Sequence, residues 1–302
     1  MGPRTRFHDP CYVAPMERAV SADLASKTFI VTGANTGIGK ITARELARAG
    51  AHVFLACRSE RKTAEVIDEI KRDVPGAKLE YVHLDLGDLA SVRACAEAIL
   101  ARNTPIHGLI NNAGLAGHRG VTKDGFEVTF GTNHLGHYLF TRLLLDRLKQ
   151  AGNARIVNVA SKSHYRASGI DWDALKQPTR TVSGMREYSQ SKLSNVLFTK
   201  ELARRLEGTG ITTYAVHPGV VATDVWRRVP APVRWVIKRF MITPEDGAQA
   251  SLRCATAPEL AGQTGRYYDV GGKETTPNRV ADDVELAKTL WTRSAEWTGL
   301  PA

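Results

Sequence analysis

Short runs of apolar and β-branched residues alternate along this chain with longer stretches in which apolar positions return every third or fourth residue. Residues 27–32, 51–57, 78–83, 106–110, 154–160 and 211–217 have the length and side chains of buried strands. Between them, 38–49, 61–72, 91–101, 124–150 and 187–206 carry helical spacing. A seventh strand around 265–270 and a last helix around 282–297 complete the series. Alternation of this kind predicts an α/β fold. The expected architecture is a doubly wound parallel sheet of about seven strands, helices on both faces and ligands at the carboxyl ends of the strands.

Length and composition narrow the picture. A chain of 302 residues can bury a large core, and no Pro/Gly/Ser-rich linker divides it, so one domain over 27–302 is expected. Residues 1–26, with Pro3, Pro10 and Pro15, read as a tail outside that domain. No apolar run reaches the ~18 residues of a membrane span, and the first 26 residues lack the apolar stretch of a signal peptide. A cytoplasmic protein is the expectation. Cys11, Cys57, Cys95 and Cys254 are scattered without metal-binding or disulfide-framework spacing. His134 and His137, three apart on a helical stretch, read as helix-packing or hydrogen-bonded residues, because no third ligand stands near them in the pattern. No metal is expected. The net charge of +10 would suit an acidic ligand or an anionic surface. With no recognition module apparent, nucleic acid is not expected as a partner.

The candidate chemistry begins after the first strand. Thr32-Gly33-Ala34-Asn35-Thr36-Gly37-Ile38-Gly39 leads straight into a helical pattern. Glycines there let the backbone approach a pyrophosphate, and the helix start presents unpaired N–H groups with a favourable dipole. A dinucleotide is implied. An NAD site usually places a carboxylate at the end of the second strand for the ribose 2′-hydroxyl. This chain has Cys57 and Arg58 instead, a pairing that suits a 2′-phosphate and favours NADP(H). Far along the chain, Tyr188 and Lys192 stand four apart, hence one turn apart on one face of a helix. Free tyrosine has a pKa of about 10. A cation at ~4 Å in a medium of dielectric ~20 contributes roughly 4 kcal/mol, enough to bring a phenol toward neutrality as a proton shuttle.

Taken together these motifs resemble the short-chain dehydrogenase/reductase family, whose fold is a Rossmann sheet. The likeness runs from about residue 27 to residue 300. It is carried by the glycine loop, Asn111-Asn112-Ala113-Gly114, Ser161, Tyr188-x-x-x-Lys192 and Pro218-Gly219, in family order. Residues 34–40, Ala56-Cys57-Arg58, 132–137 and 195–198 are similar to the retinol dehydrogenase branch, which is generally NADP(H)-dependent. Ala160 stands where that branch often has a second serine. The resemblance implies a catalytic tetrad of Asn133, Ser161, Tyr188 and Lys192. Tyr188 would be the acid/base, Lys192 would lower its pKa and bond the nicotinamide ribose, and Ser161 would orient the substrate oxygen. Asn133 would kink its helix to complete a proton path. The implied cofactor contacts are Gly33, Asn35, Thr36, Gly37, Ile38, Gly39, Arg58, Asp85, Leu86, Asn112, Ala113, Gly114, Tyr188, Lys192, Pro218, Gly219, Val221 and Thr223. Asp85 has a second reading as a cap for the helix near Leu89.

Two segments shape the expected substrate end. Residues 166–186, including Trp172, lengthen the spacing between Ser161 and Tyr188 and suggest an extra loop at the pocket mouth. Residues 224–243 carry Val233, Val236, Ile237, Phe240 and Met241 at helical spacing, with Arg234, Lys238 and Arg239 opposite, the pattern of a lid. Such a helix closes an apolar pocket or dips into an anionic membrane surface, and either way a lipophilic carbonyl or alcohol is the expected substrate. An NADP(H)-sensing regulatory or scaffold protein is the alternative function. Family pattern also raises a homodimer through the helices near 124–150 and 187–207.

Overall fold

The computed structural model describes residue 20 and residues 23–219 and 242–302. Most of the tail, the lid apart from Ile242 and Thr243, and the candidate cofactor contacts Val221 and Thr223 lie outside the described residues. Among the described residues, β1 (Thr28–Thr32), β2 (His52–Cys57), β3 (Lys78–His83), β4 (Gly108–Asn111), β5 (Arg155–Val159), β6 (Thr212–Val216) and β7 (Arg266–Tyr268) form one parallel sheet. The spatial order is β3-β2-β1-β4-β5-β6-β7. The chain therefore starts in the middle, runs out to one edge, returns beside β1 and runs to the other. That reversal opens a crevice between the carboxyl ends of β1 and β4.

Central strands are apolar on both faces, as a sheet covered on both sides requires. Phe29, Ile30 and Val31 are all buried, and alternate members of β1 feed separate cores on the two faces. The helices α1 (Gly37–Arg48) and α2 (Glu60–Asp73) follow the first two strands, and α3 (Leu89–Leu100) follows the third. Ser59 caps α2 by accepting from Lys62 N, and Asp88 caps α3 by accepting from Ala90 N and Ser91 N. Asp85 is not the cap; its Oδ1 accepts from Gly87 N within the preceding turn.

The helix expected over 124–150 is shorter and broken. Asp124 instead accepts from Leu89 N, and Glu127 caps a three-residue turn, α4 (Val128–Phe130), through Thr129 N and Phe130 N. A π-turn over Gly131–Leu135 comes next, and only then α5 (Gly136–Lys149). Helix α6 (Met185–Arg205) starts two residues before the sequence suggests, because Gly184, with φ +64, turns the chain into it. A Cβ at Gly184 would stand 2.8 Å from His118 O, so glycine is needed there twice over. One helix is absent from the sequence expectation: α7 (Pro244–Thr256), capped by Thr243 accepting from Asp246 N. Its many small residues hide the apolar stripe that would have marked it. The last helix, α8 (Val284–Trp297), lies across α5 and α6, where Trp291 packs against Tyr138 and Phe198. No helix among the described residues is long and apolar enough to cross a membrane.

Candidate active site

A cavity of about 1150 Å³ occupies the crevice above the strand ends. Gly33, Asn35, Thr36, Gly37, Ile38 and Gly39 line one end of it, with Arg58, Asp85, Leu86, Asn112, Ala113 and Gly114 alongside. Ser161, Tyr188, Lys192, Pro218 and Gly219 line the other. The cradle at the first end suits a dinucleotide for a steric reason. A Cβ on Gly39 would come within 2.5 Å of both Asn112 Nδ2 and Gly33 O, so this backbone packs closely under the loop and leaves the α1 N-terminus open toward the cleft. Thr32 Oγ1 accepts from Asn112 N at 2.9 Å and Ala113 N at 3.0 Å, tying the ends of β1 and β4 together beneath it.

Arg58 stands at the end of β2, largely exposed, with Asp85 Oδ2 3.9 Å from its Nη1. Ser59 and Lys62 line the same corner. Lys62 was not among the sequence candidates. Its signal is its position, one turn beyond Arg58 at the start of α2, where its ammonium can face the same ligand group. His118, Lys162, Met185 and His217 also line the cavity without having been singled out. Of the stretch 166–186, only Arg166 and Met185 reach the cavity. Trp172 does not lie at the mouth. Its ring packs 6.4 Å from Trp297 and 4.6 Å from the Arg293 guanidinium, because apolar burial against α8 outweighs exposure beside the cleft.

The tetrad residues arrive from three elements. Ser161 follows β5, where its Oγ accepts from Ser163 N at 3.2 Å and caps a short 3₁₀ turn. It also lowers the pKa of the Tyr188 phenol, and both side chains line the cavity, so a turn residue and a candidate site residue are here the same serine. Tyr188 and Lys192 come from one face of α6, the Nζ atom 5.7 Å from the phenol ring centroid. Asn133 sits in the π-turn and does not touch the cavity. Its Oδ1 accepts from Leu115 N at 2.7 Å, and its Nδ2 donates to Leu115 O and Ser191 Oγ, each at 3.0 Å. These bonds pin the loop after β4 to α6.

Electrostatics describe the pair in its buried setting. Burial pushes the Tyr188 phenol above its ordinary value, and the Ser161 hydrogen bond only partly opposes it. Lys192 is engaged on the main chain beside it. Its ammonium donates to Val159 O at 2.8 Å, and its own pKa is lowered to about 8 by desolvation. His134 and His137 are buried and hydrogen-bonded, the first to Ser294 and the second to Thr32 and the main chain of Asn133.

Comparison with known proteins follows the same lines. The short chain dehydrogenase family model matches residues 27–172. Retinol dehydrogenase 13 of Homo sapiens is 44% identical over 293 residues, covering 93% of this chain and 87% of that protein. Among solved structures, an uncharacterized protein from Mycobacterium Paratuberculosis is 34% identical with a TM-score of 0.74, covering 93% of this chain and 97% of its own. The 3-ketoacyl-(acyl-carrier-protein) reductase of Brucella melitensis, complexed with NADH, is 28% identical with a TM-score of 0.64, covering 82% of this chain and 98% of its own.

Proposed function

This chain belongs to the short-chain dehydrogenase family and to its retinol-dehydrogenase-like branch, and from that premise we propose that it interconverts a lipophilic aldehyde or ketone with the alcohol, using NADP(H). One observation carries the reading: Tyr188, Ser161 and Lys192 converge at one end of a single cavity whose other end is the glycine loop. The nicotinamide, when bound, supplies or accepts the hydride. Tyr188 gives its proton to the developing alkoxide, or takes one from the alcohol, and Ser161 donates to the same oxygen and fixes its position. Lys192, charged below about pH 8, favours the phenolate that remains after proton transfer. The roles of Asn133, Val221 and Thr223 follow from the family pattern, the first supported by its bonds to Leu115 and Ser191.

Selectivity for NADP(H) rests on Arg58 and Lys62 at the corner where an NAD enzyme keeps a carboxylate. Asp85 is the nearest acid in that corner, and it faces Arg58. The lipophilic substrate rests on the retinol dehydrogenase relatives and on the apolar pattern of 224–243. Contact of that basic segment with an anionic membrane is part of the same reading, checked by salt-sensitive binding to anionic vesicles. A homodimer through α5 and α6 has to include α8, which already packs on both.

The test is a panel of lipophilic aldehydes, ketones and alcohols with NADPH and NADP⁺, followed at the nicotinamide absorbance. Turnover is expected with part of the panel, and Tyr188→Phe should lower it by about 10² to 10⁴ while preserving cofactor binding. Undiminished turnover in that variant would remove Tyr188 from its role. Cofactor binding without turnover across the whole panel would put an NADP(H)-sensing role in place of the enzyme.

A further inference from the structure

We infer that His137 is a positioning residue that couples the cofactor end of the cleft to the turn of α6 bearing Tyr188. The inference rests on the oxidoreductase reading above and deepens it. His137 is 2% exposed, and its two ring nitrogens face two different parts of the site. Nε2 lies 2.9 Å from Thr32 Oγ1, and Nδ1 lies 3.0 Å from the main-chain oxygen of Asn133.

Counting hydrogens fixes the direction of each bond. Thr32 Oγ1 already accepts two backbone N–H groups, from Asn112 and Ala113, so its own proton has to be donated. The candidate acceptors are His137 Nε2 at 2.9 Å and Ile110 O at 3.5 Å, and the nearer one takes it. A ring nitrogen that accepts carries no proton, so the neutral imidazole holds its proton on Nδ1. That proton points at Asn133 O, which can only accept. Burial keeps the ring neutral, its pKa pushed down to about 4, with Lys192 on α6 adding to the effect. His134, one turn earlier, is held neutral too, at about 3.

The chain of bonds then continues with the same polarity. Asn133 Nδ2 donates to Ser191 Oγ at 3.0 Å, and Ser191 Oγ donates to Tyr188 O at 2.8 Å. From the amides of Asn112 and Ala113 through Thr32 and His137, each group donates onward to the main-chain oxygen of Asn133, and the side chain of that same residue carries the path on to Ser191 and the main chain of Tyr188. The first run of bonds polarises its own members, and across Asn133 the link is the residue's covalent frame, so what passes on is position. A shift of the β1–β4 junction beneath the glycine loop is thereby felt at the main chain of Tyr188. His137 touches no reacting atom; it acts through Asn133.

Two near-isosteric variants separate the halves of this role. His137→Asn keeps a donor near the Nδ1 position facing Asn133 O, whereas His137→Gln keeps a polar group near the Nε2 position facing Thr32. Losing one buried hydrogen bond to a site group is worth about tenfold in rate. Each variant breaks the path at one link, so each should lose about tenfold in kcat relative to wild type, with the cofactor KM within about threefold. Wild-type kcat in either variant at a temperature where both are folded would overturn the proposal. A second measurement needs no turnover. The ¹⁵N shifts of His137 in the ¹⁵N-histidine-labelled wild type should report a neutral ring protonated on Nδ1, and an Nε2–H tautomer or an imidazolium near neutral pH would overturn it as well. Failure of the enzyme reading shows separately, in the substrate panel and Tyr188→Phe.

Discussion

At the residue scale, the glycine loop and the candidate tetrad stand out in the sequence because the chemistry proposed for them admits few substitutes. Gly39 shows why: its missing Cβ is the space in which Asn112 Nδ2 and Gly33 O meet. Gly39→Ala should accordingly weaken cofactor binding by about tenfold or more, a loss of roughly 1.4 kcal/mol or greater, read by fluorescence titration. Binding at wild-type strength would show that the loop is not the cofactor cradle. Arg58 makes a sharper claim. Arg58→Ala should weaken NADPH by about tenfold or more while leaving NADH nearly untouched, the difference being a charge-assisted bond to one phosphate. Equal weakening of both would move the selectivity elsewhere. What the spacing of Tyr188 and Lys192 could not give is the sign of the phenol's shift. That sign depends on how deeply the fold buries the phenol, which is not written in an i,i+4 interval.

At the scale of elements, strands were placed to within a residue or two because continuous apolar runs have few other uses, and β3 coincides with its expected bounds, 78–83. Helix ends were less legible. The start of the helical stretch before α5 moved because the Glu127 carboxylate, not Asp124, supplies the cap, and because the π-turn interrupts the 3.6-residue period at Asn133. Helix α7 escaped because Gly, Ala and Ser dominate its buried face, although Thr243 and Pro244 were signals of a start. The docking of α8 depends on one side chain. Trp291 is buried, with the guanidinium groups of Arg142 and Arg205 at 4.6 and 4.3 Å from its ring. Trp291→Ala should cost roughly 3 to 5 kcal/mol, seen as a lower urea midpoint. A change below about 1 kcal/mol would mean that α8 is only loosely held.

At the scale of the whole molecule, burial of neutral histidines makes the fold sensitive to acid. His134, His137 and His217 titrate at about 3, 4 and 4, below the ordinary 6.5. Between those values the unfolded chain binds protons that the folded chain refuses, so stability rises with pH there and is lost as pH falls from about 6.5 toward 4. The urea midpoint should fall between pH 7 and pH 5, approaching an uptake of one proton for each of these histidines on unfolding. A midpoint flat across that range would mean that these rings are hydrated or already charged in the native state.

Alternating apolar runs determined the sheet, because a strand covered on both faces has to be apolar throughout, and the glycine, Asn-Asn-Ala-Gly and Tyr-x-x-x-Lys motifs marked the end of it where the candidate site lies. Only the tertiary structure decided how those motifs act on one another. The reversal of strand order brings Thr32 beside Asn112, the π-turn aims Asn133 at Ser191, and burial sets which groups keep their charge. Sequence spacing fixes neighbours along one element, whereas desolvation and hydrogen bonding depend on what every other element places nearby.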